Sequence, residues 1–204
     1  MKNHYKLLLT AICAFTNIPA HSESLSWSFI RADYNITTVE IDGVTDDLEG
    51  STISFEGSFS PVNHFALIAG YATGTADVSG NGNTVELDLD GYYLGGLFYN
   101  SVTESTDFFA GARLYDLSLD ISVNGTSAGT SDGDGNEIFL GVRGKASPQL
   151  ELKGVIGRTD IENETSTDIR FEAGYYIAPD FSVNAGYGFD SDSNTLEFGV
   201  VKYF

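Results

Sequence analysis

The sequence predicts an all-β fold in which about ten antiparallel strands, with eight as the alternative, close up-and-down into one barrel. Three observations predict it. Apolar and polar residues alternate with period two from Leu25 to the C-terminus, and no segment shows helical spacing. The composition suits sheets, with 23 Gly, 11 Tyr and 14 Phe against 4 Pro and 1 Met. The length of 204 residues suffices for one domain or one closed sheet, not two.

The chain carries 10 basic and 29 acidic residues, a formal net charge of −19, with 42% hydrophobic and 13% aromatic residues. So many aromatics exclude a disordered chain. The charge repels phosphate backbones and no Lys/Arg cluster forms a basic patch, which excludes nucleic acid as a partner.

The first 20 residues, MKNHYKLLLTAICAFTNIPA, have a basic start at Lys2 and Lys6, an apolar run from Leu7 to Phe15 and a small residue at Ala20. They read as a secretory signal peptide cleaved near Ala20, because the apolar run is far short of the ~20 residues a spanning helix needs. The mature domain is then 21–204, without cysteine, since Cys13 lies in the signal and Ile12 before it disfavours lipidation.

Strands are expected at about 25–39, 51–60, 64–76, 85–99, 107–121, 136–146, 149–160, 168–177, 181–190 and 195–204. The connections Pro61-Val62-Asn63, Ser147-Pro148 and Ala178-Pro179-Asp180 are tight turns, and Ser101 to Thr106 is a slightly longer one. The connections at 41–50, 77–83, 124–135, 160–167 and 190–194 are rich in Gly, Asp, Asn and Ser and are expected to be loops. Short turns at one end and longer loops at the other are the rhythm of a membrane-crossing barrel.

The two faces indicate which solvent lies outside. Ile53, Phe55 and Phe59 share a face against Ser54, Glu56 and Ser58; Ile138, Leu140 and Val142 oppose Glu137, Arg143 and Lys145; Ile169, Phe171 and Tyr175 oppose Arg170 and Glu172. A narrow lumen could not hold that many Phe and Tyr, so the apolar face is assigned to lipid and the charged face to the interior. Aromatics near the short turns (Phe59, Phe65, Tyr99, Phe108, Phe181, Phe204) and at the other end (Tyr34, Tyr71, Phe189) then form two outward girdles. Two strands break the pattern. Trp27 and Phe29 share the parity of Arg31 and Asp33, and the apolar positions of strand 5 switch from Phe108, Ala110, Ala112 and Leu114 to Leu117, Leu119 and Ile121, through a bulge or by emergence above the bilayer.

The signal peptide, the alternating segments and the terminal TLEFGVVKYF together resemble the small outer-membrane β-barrel proteins of Gram-negative bacteria, the OmpA-like transmembrane-barrel superfamily. In that family the last strand carries an assembly signal, whose places are filled here by Glu197, Gly199 and Phe204, while Lys202 stands where an apolar residue is usual. The resemblance implies export to the outer membrane, surroundings of outer-membrane lipids and lipopolysaccharide, and the barrel-assembly machinery as partner. It implies no cofactor and leaves function open, since the family includes structural barrels, adhesins, narrow channels and a few hydrolases.

All eight basic residues of the mature chain fall in expected strands, and the loops are acidic, including Asp42, Asp46, Asp47 and Glu49. Arg31, Arg113, Arg143, Lys145, Lys153 and Arg170 are assigned to the lumen together with Glu56, Glu86, Asp88, Glu137, Glu151, Glu172 and Glu197, where they should pair into a network. At about ten strands such an interior is closer to filled than to open. Asp132, Asp134 and Asn136, and likewise Asp190, Asp192 and Asn194, place oxygens at alternate positions as calcium loops do, but Glu137 and Thr195 stand where glycine is needed, and Arg143 and Val201 where a closing glutamate is needed. The sole barrel histidine, His64, lies beside a short turn, away from the rim where related hydrolases place theirs, so no catalytic site is assigned.

The expected function is that of a non-enzymatic outer-membrane barrel with a structural or surface-interaction role, its acidic loops available to an external ligand. The alternatives are a narrow cation-preferring, porin-like channel and a secreted soluble ligand-binding barrel.

Overall fold

The computed structural model describes residues 25–40, 48–80, 83–162 and 164–204. The expected signal peptide with Cys13 and the acidic positions Asp42, Asp46 and Asp47 lie outside the described residues.

Ten strands form one closed antiparallel barrel in which each pairs with its sequence neighbours and β1 closes on β10. They are β1 (Phe29–Val39), β2 (Leu48–Val62), β3 (Phe65–Gly80), β4 (Asn83–Thr103), β5 (Thr106–Val123), β6 (Thr126–Ser147), β7 (Leu150–Ile161), β8 (Glu164–Ala178), β9 (Phe181–Phe189) and β10 (Ser193–Tyr203). Ten strands replace the alternative of eight, because the hairpin of β9 and β10 is fully paired from Asn194 against Phe189 to Lys202 against Phe181. Closure leaves no free sheet edge in the lower barrel, whereas β6 runs on past β7 at the far rim and pairs with β5 alone from Thr126 to Asp134.

The turns after β2, β4, β6 and β8 and the chain's C-terminus lie at one end, the near rim; the far rim carries the other connections. At the far rim the described parts of 77–83, 124–135 and 160–167, expected to be loops, are largely strand. β5 and β6 meet across Asn124-Gly125, whose φ values of 52° and 74° make the left-handed two-residue turn that matches strand twist. β3 and β4 pair up to Gly80 and Asn83, and β7 and β8 up to Ile161 and Glu164. Ser, Thr, Gly and Asp read as loop because both faces meet water there, yet their backbones complete the ladder.

The barrel is therefore lopsided. β4 and β6 have 21 and 22 residues, whereas β9 has 9 and β1 and β10 have 11 each. A tilted crossing strand needs ~9–11 residues, so the tall side projects by about ten residues, on the order of 30 Å along the strand.

Large apolar side chains stand outward and exposed around the lower barrel, among them Leu114 at 69%, Phe98 at 68% and Leu94 at 65%. Buried apolar residues face inward at the near rim, where Trp27, Ala66, Ile68, Leu97, Phe109, Phe139 and Val155 form one cluster. Tyr99, expected in the outward girdle, turns inward and stacks on Trp27 with ring centroids 5.0 Å apart. It shares the parity of Tyr93 and Leu97 in an unbroken stretch of β4, so the ladder and not its aromatic character decides its side.

Candidate functional site

The lumen is the candidate site, built of a near-rim layer of inward side chains and two networks above it. At the near rim the stretch before β1 folds into the barrel mouth. Trp27 Nε1 donates to Asp107 Oδ2 at 2.7 Å, and Asp107 also accepts from Ser101 Oγ at 2.7 Å. The indole lies against Tyr99 and, edge-on at 5.1 Å, against Phe109, with the Arg143 guanidinium 5.0 Å above it. Arg143 donates to Glu151 Oε1 at 2.6 Å, to Glu151 Oε2 at 3.0 Å and to the Ser26 carbonyl at 2.8 Å. Tyr176 gives its hydroxyl to Glu151 Oε2 at 2.6 Å and its ring to Lys145 at 5.1 Å. This layer balances two cations, Arg143 and Lys145, against two carboxylates, Glu151 and Asp107.

Two networks fill the middle. In the first, Arg31 donates to Asp33 and Glu172 at 2.6 Å each and to Glu197, while Lys153 lies 2.9 Å from Glu172. Asn184 donates to the other oxygen of Glu172 at 2.8 Å and accepts from Ser182 at 2.7 Å. In the second, Arg113 lies between the rings of Tyr93 and Phe139, at 4.8 and 4.9 Å, and donates to Glu56 at 2.9 Å and Glu137 at 3.2 Å. Glu137, only 1% exposed, also accepts from Tyr115 at 2.7 Å and from Arg170, which pairs with Asp168 at 2.7 Å. Every carboxylate of these two networks is ion-paired, the condition under which charges tolerate burial, although Asp33 Oδ1 and the Nε atoms of Arg113 and Arg170 find no hydrogen-bond partner among the described residues.

Eleven of the thirteen residues assigned to the lumen from sequence stand on the inward parity. Glu86 and Asp88 do not. Register runs without a shift from Val85 to Ser101 of β4, which puts Glu86, Asp88 and Asp90 on the outward parity of Tyr92, Leu94 and Phe98. Their inward neighbours are Leu87 and Leu89, so charge reports water there and not the lumen. Likewise β5 runs unbroken from Asp107 to Ile121, so its switch is emergence from the membrane and not a bulge. The bulge that does exist lies higher, between Ile121 and Ser122.

The outer face of the tall wall is acidic. Tyr71 donates to Asp90 at 2.5 Å, Tyr92 to Asp116 at 2.8 Å and Ser118 to Asp132 at 2.8 Å. The Tyr71 hydroxyl holds the Asp90 carboxyl below its ordinary range.

The calcium reading of the two acidic motifs fails on geometry. Asp132, Asp134 and Asn136 lie in β6, where alternate side chains stand in a row along the strand, ~6–7 Å apart, and do not converge. Asp190 spends its oxygens on the turn, accepting from the Asp192 and Ser193 amides at 2.8 and 2.7 Å and from Ser193 Oγ at 2.9 Å. Asn194 accepts from Tyr187 at 2.7 Å.

Of the terminal-strand residues, Glu197 belongs to the first network and Phe204 is 73% exposed at the near rim. Gly199 lies under the Asp33 carboxylate, which a Cβ would strike. Lys202 reaches sideways to Asp180 in the β8–β9 turn and holds that carboxyl below its usual range. His64 sits in the near-rim turn with φ 70°, its Nδ1 3.1 Å from the Tyr99 carbonyl.

Sequence reading missed Asp33, Asp107, Asp168 and the tyrosines 93, 115 and 176. Asp33 and Asp168 each sit two residues from a lumen arginine, on the same face, which was a legible signal. The tyrosines share the inward parity of Leu97, Arg113 and Glu172 on their strands, but nothing local marks which carboxylate each hydroxyl meets.

Among solved structures, the translocator domain of the autotransporter NalP from Neisseria meningitidis matches with a TM-score of 0.54 and 13% identity, covering 98% of this chain and 96% of that one. The transport unit of the autotransporter AIDA-I from Escherichia coli gives 0.54 and 12%, covering 98% and 97%. Neisserial surface protein A gives 0.52 and 13%, covering 89% of this chain and all of that one. The chain has the outer-membrane β-barrel fold. No family model and no curated protein matches the sequence. At these identities the likeness carries the fold alone, and the barrel's own residues must carry its role.

Proposed function

We propose that this barrel resides in a Gram-negative outer membrane, near rim toward the periplasm, as a non-enzymatic structural or surface-interaction protein. The observation that carries the reading is the tall wall of β4, β5 and β6, which exceeds the needs of a crossing strand and turns an acidic face outward. A wall of paired strands is a rigid display surface, costing less ordering entropy on binding than a loop of the same length. The outward apolar belt supports a lipid environment over the soluble ligand-binding barrel. Outer-membrane lipids and lipopolysaccharide would surround it, the assembly machinery would read Glu197, Gly199 and Phe204, and an external ligand would meet the wall.

The test neutralises the wall by combining Asp88→Asn, Asp116→Asn, Asp120→Asn and Asp132→Asn, all on its outer face. The barrel should retain heat-modifiable gel mobility while cells displaying it lose adhesion to a polylysine-coated surface; unchanged adhesion would refute the wall as the interaction face.

The second reading, a narrow cation-preferring channel, is favoured by the excess of carboxylates in the lumen. Opposing it is the Trp27 cluster across the near rim. Planar-bilayer recording should find the barrel silent and Trp27→Ala conducting; steady cation-selective openings of the unaltered protein would instead establish the channel.

A further inference from the structure

The lumen's charges do not balance, and the imbalance is local. Near the Trp27 floor, two cations meet two carboxylates. Among the described residues of the two middle networks, four cations (Arg31, Arg113, Lys153 and Arg170) face six carboxylates (Asp33, Glu56, Glu137, Asp168, Glu172 and Glu197). One oxygen of Asp33 has no hydrogen-bond partner, although its side chain is only 6% exposed. An uncompensated charge inside a barrel walled by lipid is costly, so the two-charge surplus draws positive charge into the lumen, as protons on the carboxyls or as a cation entering from the far rim.

The space for it is present. A cavity of about 460 Å³ runs from Trp27 up through both networks to Asp190, Ser193 and Thr195 at the far rim. That volume lies within the ~300–1,000 Å³ of small-molecule sites. Glu197 and Asp168 remain 29% and 21% exposed to it, so their carboxylates can accept further hydrogen bonds. The hydroxyls of Ser166, Ser193 and Thr195 add acceptors on the approach.

We propose that this cup binds a small organic dication of the diamine class. Its two ammonium groups match the surplus of two carboxylate charges, and their N–H donors suit the partly exposed carboxylates of Glu197 and Asp168. A bare divalent metal fits less well, because the carboxylates are already tied to guanidinium groups and no metal-holding cluster of His, Cys, Asp or Glu exists among the described residues. The acidic outer wall beside the far rim would concentrate cations at the entrance. The inference rests on the lumen's charge balance and holds whether or not the barrel conducts.

Trp27 is the chain's only tryptophan and forms the floor of the cup, so its emission reports occupancy directly. The folded protein in an uncharged detergent and amine-free buffer is titrated with putrescine, 1,4-butanediol and Mg2+, followed by Trp27 fluorescence and by calorimetry. Putrescine is expected to bind saturably at one site with a dissociation constant below about 1 mM, and the diol and Mg2+ at least about tenfold more weakly. Glu197→Gln and Asp168→Asn should each weaken putrescine about tenfold, whereas Asp88→Asn and Asp120→Asn on the outer wall should leave it unchanged. No saturable binding of putrescine overturns the proposal. Equal binding of the diol overturns its charge basis, equal binding of Mg2+ its organic class, and loss of binding in the outer-wall variants its location. Should a cup variant fail to fold, the comparison of the three ligands on the unaltered protein decides alone.

Discussion

Strand β5 has two halves that are mirror images in chemistry and continuous in backbone. Below Tyr115 it turns Phe108, Ala110, Ala112 and Leu114 outward and Arg113 and Tyr115 inward; above it Asp116, Ser118 and Asp120 face out while Leu117, Leu119 and Ile121 face in. No residue is inserted between the halves, so parity is conserved and only the surroundings change. Lipid outside selects apolar side chains in the lower half, and water outside selects acidic ones in the upper half. The alternation of a strand reports which solvent meets each face, and in a strand that crosses a boundary it inverts without any structural event.

The largest expected effect tests the inner side of the lower half. Glu137→Ala strands Arg113, Arg170 and Tyr115 and should cost about 3–5 kcal/mol of unfolding free energy in lipid vesicles, as for other broken buried pairs. Asp132→Ala, on the same strand but on the outer wall, should stay within about 0.5 kcal/mol. Similar losses at the two positions would erase the distinction between lumen and wall.

The next tests the outer side. Leu114→Arg should cost about 2–4 kcal/mol if it faces the bilayer core, whereas Leu119→Arg, five residues higher and inward above the membrane, should cost less. Equal penalties in urea titrations would place the whole strand in one medium.

Smaller effects belong to the acidic wall itself, where Asp88 lies directly opposite Asp120 and Asp116 opposite Asp134. Like charges paired across strands repel, so Asp120→Asn should stabilise the barrel by about 0.2–1 kcal/mol at low salt. The gain should fade as salt is raised, and a salt-independent change would point to a cause other than repulsion.

The smallest effect lies at the near rim. Because Lys202 holds the Asp180 carboxyl below its ordinary value, their pairing stabilises the folded state above the unfolded carboxylate range and is lost as pH falls through the folded value. Stability measured from pH 6 downward should therefore decline below about pH 4 more steeply for the unaltered protein than for Asp180→Asn. Parallel curves would show that the pair contributes nothing.

The strand count, the sheet class, the outward apolar belt and eleven of the lumen's charged residues were legible because each depends on alternation along one strand, which sequence records directly. Strand ends were not. The segments 124–135 and 77–83 look like loops because Gly, Asn, Asp and Ser are turn formers, yet pairing with a neighbour supplies the hydrogen bonds that local propensity withholds. Glu86 and Asp88 were misplaced for the same reason that β5 seemed broken: charge was taken to mark the lumen where it marked water.

By itself, then, the sequence determined a closed sheet of alternating strands with charged residues held on one side, because period and parity are local properties. Only the tertiary structure decided where the membrane ends along each strand, which aromatics close the near rim and which carboxylate meets which guanidinium. Those depend on closure of β1 against β10 and on the stagger between strands, which bring Arg31 to Glu172 and Glu197, and Glu56 to Arg113, across separations in sequence that no local pattern encodes.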